Sequence, residues 1–344
     1  MKITQIHLVR RPAASPRPDD FDIVTAALPS LRPGQVLIEN LYMSVDPYMR
    51  RSMEAEAKDL EPWPIGGALN GPCVGRVLDS RNPGFKEGDI VESMSGWQSH
   101  FVSDGDAFLP YLTPDNALAR RTVGSGIEPQ DYLGLFGIAA MTGYVGVVRS
   151  GKLEPGKTLV VSSAAGTVGS VACQVGKIKG MRVVASAGSD DKINWLLHSA
   201  RADRAFNYKT VPLADGLKEA CPHGIDLVLE NASPEHLEAC LPLMNERGAI
   251  MIAGFVSIYT TGGRASPVRN LEYVLDKYLT LKAFPFMDYL DSYEEFVGNM
   301  SAWRSEGKLV FPQIIHDGLD QAPRAFCSLF SGDSFGKNLV RIAI

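Results

Sequence analysis

The feature that most restricts the fold of this chain is the run Ala164-Ala165-Gly166-Thr167-Val168-Gly169. It directly follows an apolar segment, Thr158–Ser163, and directly precedes a helix-length segment. The pattern is AxGxxG, the dinucleotide fingerprint with alanine in place of its first glycine. In a strand–turn–helix unit, Gly166 lets the backbone approach a pyrophosphate, and Gly169 lets the helix pack tightly on the strand. The helix N-terminus then offers free N–H groups and a partial positive charge to the anion, with Ala164, Thr167 and Val168 completing the turn. The surrounding sequence repeats the unit. Strands are expected at Thr158–Ser163, Arg182–Ala187, Ala205–Tyr208, Asp226–Glu230 and Ala249–Gly254. Helices are expected at Ser170–Lys179, stopped by Gly180, at Asp190–His198, and at Pro234–Met244 after Ser233 as N-cap. Apolar strands alternating with helices imply a parallel sheet covered on both faces.

The flanks differ. Residues 1–130 hold short strand-like runs, Val36–Leu41 and Val74–Leu78, between dense Gly-Pro punctuation, which suggests a small barrel or sandwich. Residues 311–344 return to that style and end in an alternating run, Lys337–Ile344. A length of 344 residues accommodates about two domains. The net charge of −5 argues against a nucleic-acid partner. Met1–Pro18 has no apolar core of a secretory signal, and the most apolar window, Leu133–Val148, is too short and too glycine-broken to span a membrane. The five cysteines are scattered without a CxxC, so the expectation is a reduced, cytoplasmic protein with five buried thiols.

The second strand, Arg182–Ala187, ends about 20 residues past the fingerprint. An NAD site commonly has Asp or Glu there for the ribose 2′-hydroxyl. Here Gly188-Ser189 follow, with Lys192 a turn later and Tyr208 at the end of the third strand. Without a carboxylate a 2′-phosphate is not repelled, so NADPH/NADP+ is expected rather than NADH. Asp190 and Asp191 then read as first-turn acids that complement the helix dipole.

These residues carry a family resemblance along nearly the whole chain. Ser44–Arg50 resembles the DPYMR segment of the zinc-independent medium-chain dehydrogenase/reductases, specifically the leukotriene B4 dehydrogenase, prostaglandin reductase and alkenal double-bond reductase group with its curcumin-reductase-like members. Gly137–Tyr144 resembles that group's GMPGMTAY stretch, Ala187–Lys192 its AGSDEK, Asn207–Lys209 its NYK and Gly254–Tyr259 its GxISxY segment. The resemblance implies an α/β fold in which a Rossmann parallel-sheet domain, residues 131–310, is inserted in a GroES-like β-barrel domain, residues 1–130 plus 311–344. It implies an active site between the domains and a homodimer. It also implies that Ser189, Lys192 and Tyr208 bind the 2′-phosphate, that Met141 and Thr142 lie beside the nicotinamide, and that Asn231 lines the cofactor cleft. Tyr259 is expected to point at the substrate carbonyl. Tyr48 is a candidate for the substrate pocket, and Arg50 a weaker one. The group's NxGK segment is replaced by Ser334-Phe335-Gly336-Lys337, which makes Ser334 a short-armed substitute. The Thr-, Gly- and Ser-rich loop Tyr259–Pro267 leaves substrate size open.

Zinc alcohol dehydrogenases of the same superfamily use Cys with His or Glu of the β domain. Here Val45 and Asp46 occupy the cysteine region, Ile65–Pro72 holds no histidine, and the six histidines show no ligand spacing. No metal is therefore expected, and each histidine reads as a surface or satisfied residue. Without a Lewis acid an unactivated carbonyl is a poor substrate. The expected substrate is a small-molecule α,β-unsaturated aldehyde or ketone of open size, with hydride added to the β-carbon and the enolate stabilised by a donor, Tyr259. A quinone oxidoreductase and a non-catalytic NADPH-binding protein remain as alternatives. Glu294 and Glu295 read as a solvated face, and Phe296 and Trp303 as core.

Overall fold

In the computed structural model, residues 1–56, 60–106, 117–124, 126–262, 265–332 and 334–343 are described. They divide into two compact units. One comprises Met1–Gly134, Gln313–Ser334 and Asn338–Ile344, and the other Leu135–Pro312 and Phe335–Lys337.

The first unit begins with β1 (Lys2–Leu8), β2 (Phe21–Ala27), β3 (Val36–Ser44), β4 (Cys73–Ser80), β5 (Ile90–Ser93), β6 (His100–Ser103), β7 (Gly105–Asp106) and β8 (Ala117–Arg121), with α1 (Met49–Ser52) after β3. The alternation of the first residues is itself a strand, paired antiparallel with β2. Strand β3 pairs antiparallel with β4 and β6, and its register against β4 shifts twice, between Leu37 and Ile38 and between Asn40 and Tyr42. Such shifts bend a sheet and let a short-stranded β unit curl around a core. That core is aromatic: Phe21 stacks on Trp97 at 5.5 Å, and Trp63 meets Trp97 edge-on at 5.3 Å.

The second unit runs α2 (Ile138–Val148), β9 (Thr158–Val161), α3 (Thr167–Ile178), β10 (Arg182–Ala187), α4 (Asp190–His198), β11 (Arg204–Asn207), α5 (Leu213–Ala220), β12 (Ile225–Glu230), α6 (Pro234–Cys240), β13 (Met244–Ile252), α7 (Glu272–Asp276), β14 (Thr280–Ala283) and α8 (Tyr293–Ser305). The strands lie in the order β11-β10-β9-β12-β13-β14, every pairing parallel. This is the doubly wound Rossmann order, whose direction reverses between β9 and β12. All four residues of β9 are buried, as a central strand covered on both faces requires.

The chain then returns to the β unit through β15 (Gln313–Asp317), α9 (Ala322–Ser328) and β16 (Lys337–Arg341), the last lying between β15 and β3. The protein is thus an α/β fold in which a parallel Rossmann sheet interrupts a mostly antiparallel β unit.

Several sequence expectations need correction. The helix expected to run to Met244 stops at Cys240. Pro242 lies in a 3-10 turn, and Met244 already opens β13, because proline has no N–H to continue the helix. Helix α3 starts at Thr167, three residues before the expected Ser170. The edge strand β14 was not anticipated, since its mostly exposed TLKA carries no apolar run. The apolar stretch before Val148 contains a buried helix, α2. Cys327 is only partly buried. Glu295 is not simply solvated: it accepts the Tyr144 hydroxyl at 2.6 Å and pairs with Arg149 at 2.8 Å. Ile344 of the expected last strand, and Gly263 and Arg264 of the expected substrate-facing loop, lie outside the described residues. Among the described residues no helix is long and apolar enough to cross a membrane.

Candidate cofactor crevice

The turn between β9 and α3 has the geometry that its sequence implies. Gly166 is the N-cap of α3, extended at φ −80° and ψ 173°, and no side chain caps the helix. The first-turn N–H groups of Thr167, Val168 and Gly169 are therefore left for an anion. Gly169 is demanded by packing. A Cβ there would stand 2.6 Å from both the Ala164 Cα and the Ser163 carbonyl. At Gly166 a Cβ would meet nothing nearer than the Ser163 carbonyl oxygen at 3.4 Å, an ordinary contact. The protein itself does not need glycine there, whereas a pyrophosphate lying on the turn does. The residues present fit a dinucleotide.

At the end of β10, Ser189 caps α4, its hydroxyl accepting the Lys192 N–H at 3.5 Å. A Cβ on Gly188 would lie 2.9 Å from the Tyr208 hydroxyl and 3.2 Å from the Lys209 Cε. Gly188, Ser189 and Tyr208 are thus brought together, and Lys209 joins them, a cation that sequence reading had not singled out. Tyr208 is an exposed residue, at 42%. Asp190 accepts the Asn207 side-chain N–H at 2.8 Å, tying its carboxylate to the end of β11. Asp190 and Asp191 both lie in the first turn of α4, where the helix-dipole reading puts them.

On the other side of the switch point, Asn231 follows β12. Its carbonyl and that of Ala232 receive the N–H groups of Val256 and Ser257, at 3.5 and 3.0 Å. These bonds fasten the 3-10 turn Val256–Tyr259 to the β12–α6 loop, and so bring Tyr259's segment to Asn231. Helix α2, which carries the buried Met141 and the partly buried Thr142, crosses the first turn of α3. A Cβ on Gly143 would meet the Val168 carbonyl at 2.3 Å, so only glycine permits the approach. In the segment Ser334–Lys337, sequence reading gave a role to Ser334 but none to Gly336. Gly336 donates its N–H to the Ala165 carbonyl at 2.9 Å and forms a parallel bridge with Gly166. Its φ of +61° and the Pro312 carbonyl 2.4 Å from a would-be Cβ make glycine obligatory there.

This crevice has counterparts. A model of the N-terminal domain of oxidoreductases matches residues 4–110, and one described as zinc-binding dehydrogenase matches residues 167–302. The NADPH-dependent curcumin reductase of Escherichia coli is 35% identical over 98% of this chain and 96% of its own length. Prostaglandin reductase 1 of Bos taurus is 36% identical over 95% of each. CurA of Vibrio vulnificus, solved in complex with NADPH, superposes with a TM-score of 0.90 at 31% identity over 99% of each chain. The chain is a medium-chain dehydrogenase/reductase.

In this dehydrogenase/reductase the candidates of the β unit are set as follows. Tyr48, partly buried, packs against the aromatic core and precedes α1. Burial, reinforced by the charge of Asp46, raises its pKa, so the phenol stays protonated and able to donate. Arg50 is 2% exposed and bonds the carbonyls of Ala14 and Pro12 at 3.0 Å each, a structural anchor for the N-terminal segment. The Ser334 hydroxyl accepts the Asn338 side-chain N–H at 2.8 Å. Among the described residues no group of three or more His, Cys, Asp or Glu could hold a metal ion.

Proposed function

We propose that this enzyme uses NADPH to reduce the C=C bond of α,β-unsaturated aldehydes and ketones. The observation that carries the reading is full-length similarity to reductases of curcumin and prostaglandin. Curcumin is a conjugated enone. The end of β10 adds support, since Ser189, Tyr208 and Lys209 stand where an NAD site commonly has a carboxylate.

In this reading Ala164, Gly166, Thr167, Val168 and Gly169 form the pyrophosphate turn. Gly188, Ser189, Lys192 and Tyr208 hold the 2′-phosphate by charge-assisted hydrogen bonds. Met141, Thr142 and Asn231 line the nicotinamide end, with Ser334 a weaker neighbour. Bound NADPH supplies a hydride to the β-carbon. Charge then grows on the substrate carbonyl oxygen, and the Tyr259 hydroxyl donates a hydrogen bond to it, lowering the barrier to the enolate. Solvent can protonate the α-carbon, so no strong acid is required. Tyr48 shapes the substrate pocket. The Rossmann unit, residues 131–310 as read from the sequence, is the NADP-binding domain.

The test is NADPH oxidation with a panel of alkenals, enones and quinones, alongside Tyr259→Phe. Alkenals or enones should turn over faster than quinones. Tyr259→Phe should lower kcat by about 10²-fold, with the KM for NADPH nearly unchanged. Preference for quinones, or NADPH binding without turnover of any compound, would overturn the reading.

We further propose that the enzyme is zinc-independent, cytoplasmic and homodimeric. The edge strand β14 and the exposed Leu271, Leu275 and Tyr278 that precede it in the chain support a self-association face. Light scattering should give twice the chain mass, and activity should survive prolonged chelation. A monomer, or loss of activity on chelation, would count against these assignments.

A further inference from the structure

At the C-terminal ends of β9, β10 and β12 lies a buried polar network that the proposed chemistry does not use. Glu230 is fully buried and His236 is 2% exposed. One carboxylate oxygen of Glu230 accepts the Ser162 hydroxyl at 2.8 Å and the N–H groups of Ala232 and Ser233 at 2.7 and 3.0 Å. The other accepts His236 Nδ1 at 2.6 Å. Four donors converge on this carboxylate, and an ionised carboxylate is the form that accepts from all of them. A buried anion is costly without a cation beside it. Burial by itself lowers the pKa of His236. The charge of Glu230, aided by Cys240, outweighs that and holds it well above the ordinary value. The ring's other nitrogen stands 3.2 Å from the Ser186 hydroxyl on β10, and Cys240 Sγ on α6 lies 3.7 Å from Nδ1.

Each partner in this network lies beside the crevice. The Ser162 hydroxyl also accepts the N–H groups of Asn231 and Ala232, at 2.7 and 3.1 Å. The Ser186 carbonyl accepts the N–H of Ala164 at 3.0 Å. Between Ser162 and Ala164 stands Ser163 at φ +46°, a left-handed conformation that a serine keeps only where its surroundings over-determine it. Its two neighbours are held by opposite ends of the Glu230–His236 network.

We infer that the Glu230–His236 pair is a positioning device for the cofactor. It locks the ends of three strands, and with them the Ser163–Gly169 turn and Asn231, in the binding shape before NADPH arrives. The inference rests on the NADPH reading above. His236 touches neither cofactor nor substrate, so it acts through the backbone it holds.

The test uses calorimetry and hydrogen exchange on the full-length protein. His236→Leu should raise the Kd for NADPH about tenfold or more while kcat at saturating NADPH changes less than about twofold. Glu230→Gln keeps the shape and lets the imidazole accept at Nδ1, so it should recover most of the affinity. In cofactor-free protein, the amides of Ala232 and Ser233 should exchange about tenfold faster in His236→Leu, with Val184 in mid-strand unchanged. If His236→Leu does not fold, His236→Gln, whose amide matches the ring nitrogen facing Ser186 and leaves the place of Nδ1 beside Glu230 empty, carries the same measurements. Unchanged Kd and unchanged exchange would overturn the inference, as would a fall in kcat at constant Kd. If the unaltered protein bound no NADPH, the cofactor reading would fall, and the exchange measurement alone would still decide whether the pair holds the loop.

Discussion

Gly166 and Gly169 stand in one turn, yet the molecule requires them for different reasons. At Gly169 any side chain runs into the backbone of Ser163 and Ala164. That glycine is fixed by folding and says nothing about a ligand. At Gly166 the chain leaves room, the backbone angles suit any residue, and the helix behind it has no side-chain cap. A glycine that the protein does not need for itself points to something that must come close. The comparison separates two signals that a sequence motif merges, a packing constraint and a binding constraint.

The largest expected effect breaks this comparison at Gly166. Serine ranks at or above glycine as an N-cap, so Gly166→Ser should leave the thermal midpoint nearly unchanged. Its hydroxyl would occupy the N–H groups meant for the pyrophosphate, and NADPH affinity measured by calorimetry should fall about 10²-fold. A destabilised variant that still binds NADPH would invert the argument. Next, Lys192→Ala should weaken NADPH by roughly 10-fold or more, the scale of a hydrogen bond to a charged group. NADH, titrated in parallel, should be almost unaffected. Equal losses would remove the phosphate pocket from the end of β10. Gly169→Ala should have the opposite signature to Gly166→Ser. Overpacking against backbone costs about 1–3 kcal/mol, against a helix-propensity gain of up to about 1 kcal/mol. A net loss of about 1–2 kcal/mol should appear in urea unfolding, and a neutral result would show that the turn can relax. The smallest effect is in the pH dependence. The folded-state pKa of His236 lies above its ordinary value. Its contribution is therefore complete below about pH 6.5 and is lost as pH rises through the folded pKa. Urea midpoints above neutrality should decline more steeply for the unaltered protein than for His236→Gln; parallel curves would contradict the ion pair.

What could be read from the sequence follows the same division. The strand–turn–helix at Gly166 was legible because all its determinants lie within a dozen residues, and so were β10 and α4, whose bounds match. Buried central strands advertise themselves as apolar runs, whereas β14, an edge strand in which Leu281 and Ala283 are separated by Lys282, does not. The candidate phosphate pocket was legible at Ser189 and Tyr208, but Lys209 emerged only once β11 was laid beside β10. Glu230 and His236 gave no signal as a pair, because a lone histidine on a helix reads as satisfied until the strand facing it is known. Gly336 was legible only as a motif position, since its role depends on the turn against which it is bridged.

That bridge has a consequence for biosynthesis. Thr167 and Gly336, joined by a hydrogen bond, are 169 residues apart. A chain emerging from the ribosome can form the strands and helices of the Rossmann sheet long before its nucleotide turn acquires this last backbone partner. The turn is finished only once Gly336 has emerged to bond Ala165, so nascent chains stalled upstream of Phe335 should bind NADPH more weakly than chains that include it.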